Sequence, residues 1–70
     1  MNLDIIKDYM IKYGYSSYKM AKLMGLSHTA FYNKITGKYE FKAYEIRKLK
    51  KILNIDDRTM LIILFGESEI

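Results

Sequence analysis

The chain has no cysteine, no proline and no tryptophan, and a single histidine among its 70 residues. Without cysteine there is neither a disulfide nor a thiolate metal site, and one histidine excludes a multi-histidine metal centre. Long apolar runs are missing too. The longest, Met60 to Phe65, falls far short of the roughly 18 residues that a membrane-spanning helix needs. The start, Met1-Asn2-Leu3-Asp4, lacks a basic stretch followed by an apolar one, so no secretory signal is expected and the expected location is the cytoplasm.

Half of the residues are apolar and 29% are charged, a globular composition. Seventy residues make one domain, expected to span 1–70. Such a chain buries only about 60–65% of its unfolded surface, near the lower limit of self-sufficient stability unless it dimerises. The net charge of +4 is unevenly spread. Residues 1–50 hold ten Lys/Arg against four Asp/Glu, whereas residues 51–70 carry a net −2. Six lysines and one acid, Glu40, lie between Lys12 and Lys42. This excess suits a polyanion such as nucleic acid, and it equally suits a solvated lysine-rich surface.

With proline absent, the four glycines are the punctuation. Leu3, Ile6, Met10 and Tyr13 repeat at helical spacing after a possible N-cap, Asn2, and Gly14 stops that run. Tyr15 is an expected core residue. Ser16 and Ser17 open a second helix, about Ser17 to Met24, with Met20, Ala21, Leu23 and Met24 apolar, and Gly25 ends it. Ser27 caps a third, about His28 to Ile35, with Ala30, Phe31 and Ile35 inward and Tyr32, Asn33 and Lys34 facing out or sideways. Gly37 ends the third helix, and 38–42 reads as a loop anchored by Phe41. A fourth helix is expected over Ala43 to Leu53, with Ile46, Leu49 and Leu53 inward and Arg47, Lys48, Lys50 and Lys51 outward. Asn54 ends it and Ile55 tucks in. Asp56 caps a fifth, about Asp57 to Phe65, and 66–70 reads as a frayed tail. No strand is expected. Tyr9, Tyr13, Tyr15 and Tyr44 fall at helical spacing, which favours core or half-core positions over base-stacking platforms for a single strand.

The informative spacing is Ala21-x-x-x-Gly25-x-x-x-x-x-Phe31. Gly25 permits positive φ, Ala21 allows a close helix crossing, Leu26 plugs the turn and Phe31 fills the angle, as in a helix-turn-helix. An ordinary corner between two helices of a small bundle has the same ingredients. The whole run from Ser16 to Lys38 resembles the helix-turn-helix of phage Cro proteins and phage repressors, the lambda-repressor-like family. The most specific parts are Ala21-Lys22-Leu23-Met24-Gly25-Leu26-Ser27, Gly37-Lys38 and Asn54-Ile55-Asp56, and the similarity extends over about residues 3–65. The resemblance implies an all-α, five-helix DNA-binding domain acting as a homodimer on a palindromic operator. With neither a linker nor an effector domain, the chain is expected to resemble a Cro protein more than a two-domain repressor, and to associate with the nucleoid. Ser17 stands where many members carry a glutamine that braces the DNA backbone and a recognition residue. Lys34 stands where many carry an apolar residue, and here the apolar position is Ile35.

By this resemblance His28, Thr29 and Asn33 occupy base-reading positions. An asparagine can bond adenine bidentately, whereas His28 stands open between donating to guanine, donating to a phosphate and being simply an exposed first-turn residue. Ser16, Ser17, Tyr18, Tyr32, Thr36, Lys38 and Lys42 are candidates for phosphate contacts, with Lys38 first among them. Lys19, Lys22, Lys34, Lys48, Lys50 and Lys51 are expected to be solvated. Met60 to Phe65 covers every side of a helix with apolar groups, so one flank stays exposed, and Leu61, Ile62 and Phe65 are the expected dimer interface. A protein-interaction module of antitoxin or inhibitor type, acting through this helix, is the alternative. Catalysis has little behind it. Asp4 and Asp8 share a face without a histidine or glycine-rich loop, and Asp56 and Asp57 read as capping charges. No metal, cofactor or small-molecule ligand is expected.

Overall fold

In the computed structural model, which describes residues 1–66, the chain is all-helical: α1 (Leu3–Tyr13), α2 (Ser17–Met24), α3 (His28–Ile35), α4 (Ala43–Ile52) and α5 (Asp57–Phe65). There is no strand among the described residues. Residues 67–70, part of the expected tail, lie outside them. Gly66, the remaining tail residue, caps α5 and donates its N–H to the Ile62 carbonyl at 2.8 Å.

Local chemistry explains the helix starts. A helix leaves its first N–H groups without partners, and a short polar side chain at the N-cap can accept from one of them. Asn2 accepts from the Asp4 N–H, Ser16 from Lys19, Ser27 from Ala30 and Asp56 from Thr59, each at 3.1 Å. The Thr59 hydroxyl also donates to Asp56 at 2.6 Å, and these bonds hold the Asp56 carboxyl below its ordinary pKa. At α4 the N-cap is Lys42, whose side chain cannot accept. Here Glu45, three residues in, turns back and its carboxylate accepts the Lys42 N–H at 2.8 Å. The helix ends one residue earlier than expected, and Leu53 is its C-cap.

The core draws on every helix and on three residues between helices, Phe41, Leu53 and Ile55. Ile6, Met20, Phe31, Leu49, Leu53 and Ile63 are fully buried, Phe41 from the loop packs its ring 6.0 Å from Phe31, and Ile55 closes the base. α2 packs on α3 and on α4, while α1 packs on α5 and its cap residue Asn2 donates to the Ile63 carbonyl at 2.7 Å. Tyr9 and Tyr15 are half-buried as expected, but Tyr13 and Tyr44 are exposed. Tyr13 ends α1 and lies against Tyr15 and the Lys12 ammonium instead of the core. Tyr44 is one residue off the Glu45–Leu49 face that α4 turns inward, a rotation of about 100°.

Candidate functional site

α2 and α3, eight residues each, are joined by Gly25-Leu26-Ser27. Gly25 has φ +73°, a conformation that costs a Cβ-bearing residue about 1–2 kcal/mol. Its N–H and that of Leu26 return to α2 carbonyls, at Lys22 and Ala21. Leu26 packs half-buried against the core, so the turn is anchored from below. The Lys48 ammonium donates to the Met24 carbonyl at 3.2 Å and caps the C-terminal end of α2 from α4. Lys48 is exposed, as expected, but its ammonium is engaged by this bond.

α3 is rooted on one side and open on the other. Phe31 and Ile35 are buried, and Ala30 is half-buried. Thr29, Tyr32 and Thr36 are exposed, and His28 and Asn33 are half-buried. The Thr36 hydroxyl donates to the Tyr32 carbonyl at 2.7 Å, so its proton is engaged within α3. The Asn33 carbonyl accepts the Lys38 N–H at 2.8 Å, which ties the exposed Lys38 to the end of α3. Lys38 also lies over the Tyr39 ring at 5.7 Å.

The N-terminal ends of α2 and α3 meet. Ser17 Oγ and His28 Nε2 are 3.0 Å apart, the Tyr18 and His28 rings stack with centroids at 3.7 Å, and Tyr32 flanks the stack. Ser17, Tyr18, His28 and Tyr32 thus form one surface cluster. Ser16 and Lys19 extend the α2 side as exposed residues, and Lys42 is exposed at the start of α4.

Lys34 departs from expectation. Its side chain is only 13% exposed and its ammonium donates to both carboxylate oxygens of Glu45, at 2.6 and 2.8 Å. It projects between the outward and inward faces of α3, toward the first turn of α4. Glu45 is buried, and burial pushes its pKa up. The Lys34 and Lys42 hydrogen bonds and the charges of both lysines outweigh that and hold it below the ordinary value. Sequence reasoning missed Glu45, although an acid at the third position of a helix whose cap residue cannot accept is a legible signal. Lys50, also expected to be solvated, is half-buried and pairs with Asp57 at 2.9 Å. Lys19, Lys22 and Lys51 are exposed.

On α5, Met60 and Ile63 face the core. Leu61 is 56% exposed, Phe65 is 74% exposed and Ile62 is half-buried. Leu61 and Phe65 are four residues apart, hence on one helix face. A separate cleft of about 420 Å³ between α1, α4, α5 and the loop after α3 is lined by Leu3, Phe41, Ile46 and Leu64, and none of the exposed α3 residues reaches it. No group of three or more histidine, cysteine or acidic side chains that could hold a metal occurs among the described residues. No described helix is long and apolar enough to cross a membrane. No family model matches this chain, nor does any curated protein or solved structure.

Proposed function

We propose that the chain is a sequence-specific double-stranded DNA-binding transcriptional regulator, a lambda-repressor-like helix-turn-helix domain of the Cro kind. It binds a palindromic operator as a homodimer. The supporting observation is the two-sidedness of α3: Phe31, Ile35 and the Lys34–Glu45 pair root it, while the exposed Thr29, Tyr32 and Thr36 and the half-buried Asn33 form its polar face. A helix of this kind fits the major groove with its first residues at the base edges. In this reading His28, Thr29 and Asn33 read bases. Ser16, Ser17, Tyr18, Tyr32, Thr36, Lys38 and Lys42 hold the phosphates, Ser17 and Thr36 as weaker contacts because their hydroxyls are engaged with His28 Nε2 and with the Tyr32 carbonyl.

Leu61, Ile62 and Phe65 pair the two copies, and dimerisation sets the half-sites about 34 Å apart. The exposed Leu61 and Phe65 also support a second reading, a protein-interaction module. Selection of bound duplexes from a random pool at two salt concentrations tests the first. One palindrome is expected, with affinity falling steeply as salt rises. A pool that stays random at low salt, together with salt-insensitive association with a protein partner, refutes it in favour of the second.

A further inference from the structure

The one histidine of the chain is restrained on two sides. Its ring lies flat on Tyr18, the planes 5° from parallel, and its Nε2 is tied to Ser17 Oγ. Nδ1 has no protein partner among the described residues. Since no buried side-chain nitrogen or oxygen lacks a partner there, Nδ1 opens to solvent. A neutral imidazole has one donor nitrogen and one acceptor, and the bond made by one sets the state of the other.

Ser17 is the first residue of α2, beside the free N–H groups and positive dipole end of that helix. Its oxygen lone pairs are best placed toward that end, with its hydrogen turned away, onto Nε2. An sp² ring nitrogen is also a stronger acceptor than a hydroxyl oxygen. Both arguments leave the ring hydrogen on Nδ1.

We infer that Ser17 and Tyr18 are positioning residues that lock His28 in the Nδ1–H tautomer and aim that N–H outward as a single donor for guanine. The inference rests on the DNA-reading proposal above. Guanine is the base whose major-groove edge offers only acceptors, N7 and O6. Adenine sets an amino donor beside N7, thymine sets a methyl beside O4, and cytosine offers an amino donor. A ring already stacked and tied loses little further freedom when it meets its base.

Because there is only one histidine, labelling histidine with ¹⁵N gives unambiguous ring signals. In the free protein at alkaline pH, Nδ1 is expected at the protonated-type shift and Nε2 at the lone-pair type. The reverse pattern overturns the lock. Ser17→Ala is expected to return the ring to the Nε2–H form that predominates in a free histidine side chain, and retention of Nδ1–H overturns the role of Ser17. Tyr18→Leu is expected to move the shielded ring protons downfield, and unmoved protons overturn the role of Tyr18.

In duplex selection, the wild type is expected to choose guanine at one position of each half-site. Ser17→Ala and His28→Ala should each weaken that preference about fivefold, the size of one hydrogen bond, and leave other positions unchanged. A palindrome in which no position responds to His28→Ala overturns this inference and leaves DNA reading standing. A pool without any palindrome overturns both.

Discussion

Breaking the Lys34–Glu45 pair from one side should cost far more than removing it altogether. Glu45 is 1% exposed and the Lys34 side chain 13%, so neither charge is well hydrated once its partner goes. Loss of one member of a buried pair typically costs 3–5 kcal/mol. Lys34 retains some access to water, so we expect about 2–3 kcal/mol for Glu45→Gln and about the same or more for Lys34→Met. A domain of this size has a stability of only roughly 4–10 kcal/mol. The melting temperature should fall by about 10–20 °C. The double variant Lys34→Met/Glu45→Leu replaces the pair with apolar contacts and leaves the Lys42 N–H, on an exposed residue, to seek water. It should recover most of the loss, with a coupling of about 1.5 kcal/mol or more. Urea denaturation at pH 7 measures all four corners of the cycle. Single variants within 0.5 kcal/mol of wild type, adding simply in the double, would refute the pair's structural role.

The same pair sets an acid response. The folded pKa of Glu45 lies below the unfolded value, about 4.3, so its contribution is complete above that value and is lost as pH falls through the folded pKa. Glu45→Gln should flatten the stability profile in that acidic window. An equally steep profile would assign the acid sensitivity elsewhere, Asp56 being the next group with a lowered pKa.

Gly25→Ala meets no clash, since the nearest atom to a new Cβ is Lys48 Nζ at 3.7 Å, but it forces φ +73° on alanine. A loss of about 1–2 kcal/mol is expected by thermal denaturation, and an unchanged melting temperature would show that the turn relaxes. Asn33→Ala should relax base preference while leaving nonspecific binding almost intact, as read by competition between duplexes. A uniform loss across all sequences rejects its base-reading role. Leu61→Glu places a charge on the exposed α5 face and should give monomers in sedimentation, whereas an unchanged dimer moves the interface elsewhere.

The residues that start four of the five helices were legible one by one, whereas the Glu45 cap of α4 was not. Asn2, Ser16, Ser27 and Asp56 act on N–H groups two or three residues away, and Gly14 and Gly25 bend the chain where they stand. Such signals are local, so all five helices, and the ends of α2, α3 and α5, follow from the order of residues alone. The period of Phe31 and Ile35 likewise told which side of α3 is inward. The destinations of the long polar side chains were not written there. Lys34 meets Glu45 and Ser17 meets His28 across 11 residues, and Lys48 reaches Met24 across 24. A lysine stem can point to water or to any acceptor within its reach, and the crossing of α2, α3 and α4 decides which. Hence helix positions were settled by short-range backbone chemistry, while the bracing of α3 and the seat of His28 exist only because packing brings distant turns together.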